Sequence, residues 1–219
     1  MKFFYILKKF VGIFVNKYRL FSFQYNWRLK NPHNETVVMN LFPINLVRVG
    51  KFSYGPLIVY SWNTENESLT IGDFCSIASG VKFILGGNHR MNYISTFPFK
   101  YLLFEEKEAY SNGGIILEDD VWLGSDVTIL SGVKLGKGCV VAAGSVVAKS
   151  FPEYSIIGGV PAKVIGKRFS DEIINLVKEI DYSKLEKKDI SENLDFFYSD
   201  VEEMNKIDLE NRFTKLLEK

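Results

Sequence analysis

From Leu117 onward an aliphatic residue returns every six positions, through Leu123, Ile129, Leu135, Val141 and Val147. A second series sits four residues after each lead, at Val121, Val127, Val133, Cys139 and Ser145. An earlier block obeys the same rule, with Ile71, Ile77 and Phe83 as leads and Cys75 and Val81 behind them. The residues just past the leads are mostly small, including Gly72, Ala78, Gly124, Gly136, Ala142 and Ala148. A helix repeats at 3.6 residues and a plain strand at two, so neither produces this interval. Short strands joined by tight corners do. Each strand turns one side chain inward, and Gly past the lead relieves crowding and tolerates a positive φ at the corner. Stacked coils then bury one aliphatic ladder, each coil against the next. The chain is therefore expected to form an all-β solenoid, a parallel β-helix. The stretch Val47–Val59 begins the pattern in loose phase.

Composition narrows the functions such a solenoid can carry. With 27 Lys and Arg against 26 Asp and Glu, the net charge of +1 offers no global case for nucleic-acid binding. Two cysteines exclude a disulfide scaffold and a four-Cys zinc site. Cys75 and Cys139 both fall in the inward second series, where they read as small core residues. His33 and His89 are the only histidines, so one chain cannot supply a three-His metal centre, and no metal is expected. An ice-binding solenoid would display regular Thr rows, and the outward positions here have none.

The two ends depart from the repeat. Residues 1–42 form a basic segment with Lys2, Lys8, Lys9, Lys17, Arg19, Arg28 and Lys30 and no carboxylate before Glu35. Phe3, Ile6, Leu7, Phe10, Phe14 and Tyr18 recur at three- and four-residue steps, which is helical spacing. Such a helix packs on its own domain or lies on an anionic membrane surface through residues 1–20. The five-residue apolar run after Lys2 is interrupted by Lys8-Lys9 and followed by no small-x-small site, unlike a secretory signal. After Phe169 the chain contains neither Gly nor Pro. Residues 169–219 are expected as a helical tail, with Ser170 capping a helix that carries Ile173, Ile174, Val177 and Ile180, and a second helix from about Ser199 to Leu217. The solenoid between them spans 43–168.

Between Phe83 and Ile115 the period vanishes. This excursion, residues 86–114, opens with Gly86-Gly87-Asn88-His89-Arg90-Met91 and continues through Thr96-Phe97-Pro98-Phe99. Long non-repeating loops in a compact domain are usually functional. Apart from His33 in an Asn-Pro-His turn, His89 is the chain's one imidazole, a group suited to taking a proton at neutral pH.

Four features in order resemble the left-handed β-helix acyltransferases: the hexads, the Gly-Gly-Asn-His-Arg-Met loop with its Thr-Phe-Pro-Phe continuation, the Asp120-Val121-Trp122-Leu123-Gly124 restart and the Gly159-Val160-Pro161-Ala162-Lys163 exit. The nearest branch in character is the xenobiotic (chloramphenicol and streptogramin) acetyltransferases and their polysaccharide-modifying relatives. The resemblance covers about Val47 to Phe169. It implies a left-handed coil, a homotrimer with active sites between subunits, and acetyl-coenzyme A as co-substrate. It also implies that His89 is the general base, with Asn88 and Trp122 near the acceptor. Trp122 points outward by hexad phase and serves as a substrate wall or as a trimer anchor. Gly124, Ala142, Ala143, Pro161, Lys163 and Arg168 are implied at the coenzyme, the small residues admitting the pantetheine arm and the two cations meeting phosphates.

Two departures bear on the acceptor. Xenobiotic members carry a Trp-rich stretch where this chain reads Glu179-Ile180-Asp181-Tyr182-Ser183-Lys184-Leu185. The basic extension of residues 1–42 is foreign to the compact drug-modifying enzymes. Both favour a sugar of a surface glycan or its precursor over a drug, with a cytoplasmic location, peripheral at the inner membrane face. Drug O-acetylation, amino-sugar N-acetylation and a purely structural trimer are the competing readings.

Overall fold

The computed structural model describes residues 2–217, and the side chains of 9, 11–205 and 207–214 within them. A helix, α1 (Lys2–Lys30), leads into β1 (Glu35–Val38), β2 (Val47–Val49) and β3 (Tyr54–Tyr60). The first regular coil follows as β4 (Leu69–Ile71), β5 (Ser76–Ile77) and β6 (Lys82–Ile84). A short helix, α2 (Phe99–Phe104), lies in the excursion before β7 (Ile115–Leu117), β8 (Trp122–Leu123) and β9 (Thr128–Leu130). The last full coil is β10 (Lys134–Leu135), β11 (Val140–Val141) and β12 (Val146–Val147), closed by the hairpin β13 (Ser155–Gly159) and β14 (Ala162–Lys167).

Pairing makes these strands three parallel ladders. One runs β2-β4-β7-β10, a second β3-β5-β8-β11-β13, and a third β3-β6-β9-β12. The chain visits the three in turn, so Leu117 meets Leu135, Leu123 meets Val141 and Ile129 meets Val147, eighteen positions on each time. All six later leads and all five of their followers are buried, as are Ile71, Ile77, Phe83, Cys75 and Val81. The hexad frame is therefore correct at every position that the sequence assigned inward. Burial pushes the Cys75 thiol up to about 12 and the Cys139 thiol to about 11, so neither supplies a thiolate at neutral pH.

The corners differ from expectation in one respect. The residue after the lead does make the close approach: a Cβ on Gly136 would lie 2.5 Å from the Glu153 backbone nitrogen, and one on Gly72 2.7 Å from the Glu118 carbonyl carbon. Positive φ occurs two residues later, at Phe74, Gly80, Asp120, Asp126, Gly132, Gly138, Gly144 and Tyr154. Crowding and backbone handedness are thus met by different residues.

The loose phase of the first coil has a simple cause. Tyr54 faces Ser76 and Val59 faces Phe83, so β3 crosses a corner in five residues where the next coil uses seven. The boundary at residue 43 also moves, because β1 pairs in parallel with β3 from Glu35↔Tyr54 onward. The turn before it is pinned by His33, whose Nε2 lies 2.9 Å from the Val49 carbonyl.

The tail begins as expected. Ser170 caps α3 (Asp171–Val177) by accepting from the Ile173 N–H at 3.4 Å. Ile173, Val177 and Ile180 join Leu185, Phe196, Leu209 and Phe213 in a second core that touches the solenoid through Tyr154. Two short helices, α4 (Lys187–Glu192) and α5 (Leu194–Phe197), precede α6 (Lys206–Leu217), so the second helical stretch starts later than Ser199. Tyr182 stands in the segment that lacks Trp, and its ring packs on Phe74 at 5.4 Å. That segment therefore joins tail to solenoid.

Candidate active site

The excursion leaves at the corner between β6 and β7. Its launch point explains the Gly pair. A Cβ on Gly86 would lie 2.3 Å from Glu67 Oε1, and one on Gly87, at φ +80, would lie 2.7 Å from the Trp62 ring. Glu67 is a buried clamp that accepts from Ser61 Oγ at 2.5 Å, Thr64 Oγ1 at 2.7 Å and the Trp62 N–H at 3.1 Å. Burial pushes its carboxyl up, but these hydroxyls and the backbone N–H groups of Trp62 and Thr64 outweigh it and hold the group below the usual carboxylate range.

Asn88 closes the neck of the loop. Its N–H donates to the Tyr110 carbonyl at 3.0 Å, the Tyr110 N–H returns the bond at 3.1 Å, and its amide donates to Ser131 Oγ at 3.1 Å. The side chain implied at the acceptor is thus engaged in holding the loop. His89 follows directly. Its Nδ1 lies 2.7 Å from the Thr96 carbonyl, an acceptor only, so Nδ1 donates there and, in the neutral ring, Nε2 is the nitrogen left to accept. A cavity of about 360 Å³ opens beside it, lined by Trp62, Thr64, Pro98, Tyr101, Lys107 and Glu108. Glu108 Oε2 is buried there without a hydrogen-bond partner. Of the residues around this cavity, sequence reasoning had given a role only to His89, with Pro98 noted in the loop motif. Trp62 arrives from the preceding coil, and the Gly87 beneath it was the one local hint of a bulky neighbour.

Trp122 lies elsewhere. It is 55% exposed on the outer face of β8, in register with Ser76 and Val140, and lines neither cavity that His89 borders. Within one chain it is not a wall of the His89 cavity.

The residues implied at the coenzyme gather mostly at another corner, between β8 and β9 and between β11 and β12. The N–H groups of Ala78, Gly124 and Ala142 donate to the carbonyls of Leu123, Val141 and Ile157, stacking small residues in a column that ends at Gly158, where an added Cβ would lie 3.4 Å from Ala142 Cβ. Ala143 and Gly144 are exposed beside it, with nothing within 4 Å of a Cβ built on Gly144. Lys163 is exposed opposite Gly158 in the final hairpin, and Pro161 is exposed at its tip. Ala142, Ala143, Pro161 and Lys163 therefore share one end of the solenoid, with Ala143, Pro161 and Lys163 exposed.

Two assignments need correction. Gly124 is buried, since the next coil covers it, and a Cβ there would lie 2.7 Å from the Ala143 nitrogen. Its smallness serves coil stacking rather than ligand contact. Arg168 donates to Asp120 Oδ2 at 2.7 Å and to the Gly138 carbonyl at 3.1 Å, with its guanidinium over Phe169 at 4.9 Å. It is a part-buried strut between solenoid and tail, beside a cavity of about 300 Å³ lined by Tyr154, Phe169 and the tail. Its charge is already paired, so it is not a free phosphate ligand. Among the described residues no group of three or more His, Cys, Asp or Glu is placed to hold a metal ion.

Comparison with known proteins agrees with this architecture. A family model described as bacterial transferase hexapeptide (six repeats) matches residues 114–149. A chloramphenicol acetyltransferase of Klebsiella aerogenes is 42% identical over 158 residues, covering 62% of this chain and 74% of the relative. A putative lipopolysaccharide biosynthesis O-acetyl transferase, WbbJ, of Escherichia coli K12 is 41% identical over 101 residues, covering 46% and 51%. The crystal structure of a hexapeptide-repeat acetyltransferase, VCA0836, of Vibrio cholerae has the same fold, with a TM-score of 0.50 and 24% identity over 66% of this chain and 80% of that one. The chain belongs to the hexapeptide-repeat acetyltransferases.

Proposed function

We propose that this chain transfers the acetyl group of acetyl-coenzyme A to a hydroxyl of a sugar in a surface glycan or its precursor, with His89 as general base. The observation that carries the reading is the 2.7 Å contact of His89 Nδ1 with the Thr96 carbonyl, beside a cavity that His89 lines. With Nδ1–H held there, Nε2 of the neutral ring is the acceptor. Nε2 takes the proton of the acceptor hydroxyl as that oxygen bonds to the thioester carbonyl carbon. It gives the proton to the sulfur when the carbon–sulfur bond breaks, so ester and thiol are the products. A positioned base contributes about 10²–10⁴ in rate.

The acceptor class follows from the cavity beside His89. Trp62 and Tyr101 offer aromatic faces for an apolar ring face, while Thr64, Lys107 and Glu108 add hydrogen-bonding groups to the lining. A sugar ring combines both demands. The second reading is a drug hydroxyl, favoured by the identity to a chloramphenicol acetyltransferase. The small-residue corner at Ala142 and Ala143, with Lys163 at its end, fits the pantetheine arm and a phosphate of the donor.

The same reading includes a left-handed coil and a homotrimer. The His89 loop leaves one corner of the solenoid and the small-residue corner is another. None of Ala142, Ala143, Pro161 and Lys163 lines a cavity that His89 borders, which supports base and donor meeting between copies. The loop also carries exposed Met91, Tyr93, Ile94, Phe99, Tyr101, Leu102, Leu103 and Phe104, an apolar surface suited to a neighbouring subunit. A cytoplasmic location, peripheral at the inner membrane face, belongs to the same proposal, because acetyl-coenzyme A is its donor.

Thiol release from acetyl-coenzyme A across a panel of glycans, sugar nucleotides, amino sugars, chloramphenicol and a streptogramin tests the proposal, each acceptor run beside His89→Ala. Turnover with a sugar hydroxyl that His89→Ala abolishes is expected. Turnover with a drug alone establishes the second reading, and silence together with no coenzyme binding removes both.

A further inference from the structure

Helix α1 extends 29 residues, and among the described side chains those that dock on its own domain lie near its end. Trp27 is buried and its Nε1–H donates to Thr36 Oγ1 at 3.1 Å. Phe23 packs edge-on to Phe42 at 5.1 Å between ring centroids, and Gln24 Nε2 donates to the Val38 carbonyl at 2.9 Å. The docked face is therefore the one that carries 23, 24 and 27.

A second apolar face points the other way. Phe14, Tyr18, Phe21 and Tyr25, spaced four, three and four apart, are 71%, 72%, 67% and 61% exposed. At 3.6 residues per turn Tyr25 lies roughly 160° around the helix from Trp27. A rigid helix anchored by Trp27 cannot turn that stripe inward. Val11, Val15 and Leu29 extend it and are exposed as well. The side chains of Phe3, Ile6, Leu7 and Phe10, expected in the apolar stripe, lie outside the described residues. The expectation that the stripe packs on its own domain does not hold for Phe14 and Tyr18.

Charge identifies what covers this face. The helix contains Lys2, Lys8, Lys9, Lys17, Arg19, Arg28 and Lys30, and no Asp or Glu precedes Glu35. Of these cations, Arg28 pairs with Glu35 at 3.5 Å. The spacing would also suit a seam between helices of several copies. Such a seam would gather these cations with no carboxylate on any of the helices to offset them. An anionic lipid surface supplies the opposite charge and an apolar interior together. Among the described residues no helix is long and apolar enough to cross a membrane, so the geometry is a helix lying on the surface.

We propose that α1 docks on an anionic bilayer, with Phe14, Tyr18, Phe21 and Tyr25 in the headgroup–acyl boundary and Lys17 and Arg19 at lipid phosphates. The proposal goes beyond the acetyl-transfer reading and does not depend on the acceptor. The test is cosedimentation of the full-length protein with vesicles of phosphatidylcholine, with or without about one-third phosphatidylglycerol. Binding to the anionic vesicles alone, weakened by salt, is expected. Lys17→Gln with Arg19→Gln lowers the partition coefficient about twenty-fivefold, near fivefold for each charge removed. Phe14→Ser with Phe21→Ser abolishes binding while circular dichroism and the mass by light scattering stay unchanged, because both residues are exposed. Equal binding to neutral vesicles, no binding by the wild type, or a Phe14→Ser/Phe21→Ser protein that still binds overturns it. A fall in oligomer mass for that variant assigns the stripe to other copies of the chain instead.

Discussion

The coils from β7 to β12 and the excursion of residues 86–114 are neighbours in sequence with opposite physics. In the coils every lead side chain is buried within its own chain, and β7, β8, β9 and β11 are paired on both sides. In the excursion Met91 is 87% exposed, Ile94 is fully exposed, and α2 buries no residue. The coils form a self-sufficient scaffold. The excursion is held to it at a narrow neck, where Gly86 and Gly87 pass Glu67 and Trp62 and Asn88 pairs with Tyr110. A chain that builds one region so completely and leaves the other so uncovered has divided its work: the coils fix geometry, and the proposed function assigns the loop a neighbouring copy and a substrate.

If that division holds, substitutions in the two regions fail in different ways. The largest effect is expected for Leu123→Asp, which buries an unpaired carboxylate in the inward ladder. No cooperatively folded soluble protein should be recovered, and a cooperative melt would show the hexad frame to be misassigned. His89→Ala comes next. Turnover should drop by about 10²–10⁴ with an unchanged melt and unchanged coenzyme binding by calorimetry.

Arg168 and Lys163 separate structure from function within the exit segment. Arg168→Ala leaves Asp120 without its cation and should cost about 1–3 kcal/mol of stability in denaturant titration, with the KM for coenzyme nearly unchanged. Lys163→Ala should do the reverse, raising that KM about threefold to tenfold at constant stability. The smallest effect concerns acid stability at the loop's neck. The Glu67 carboxyl is held below its unfolded value, so its contribution is present above that value and is lost as pH falls through the lowered folded one. Glu67→Gln should flatten that part of the acid limb of the stability curve, and an unaltered limb would remove the clamp from the account.

The sequence was most legible where one physical demand repeats. Burial recurs at every lead, so Leu117 through Val147 are assigned inward from spacing alone, and each of them is buried. Corner handedness was not legible. Asp120, Asp126, Phe74 and Tyr154 adopt positive φ beside four Gly residues at the equivalent place, so residue type does not mark it. Arg168 resembled a phosphate ligand because its partner, Asp120, lies 48 residues away and only folding brings them together. The wall of the His89 cavity was hidden for the same reason. Trp62 comes from a preceding coil, and Glu108 sits in a segment without a repeat. Trp122 was correctly read as outward, but spacing could not say which copy of the chain it would face.

Subunit complementation tests most directly whether the loop of one copy works on the coenzyme corner of another. His89→Ala removes the base, and Ala143→Trp fills the open corner between β11 and β12. Each variant alone should be inactive. Co-assembled in equal amounts, they should recover about one-quarter of wild-type activity, the share of sites that draw an intact loop and an intact corner from different subunits by random assortment. Activity no greater than that of either variant alone would mean that base and donor meet within one chain, which contradicts the division between coil and loop.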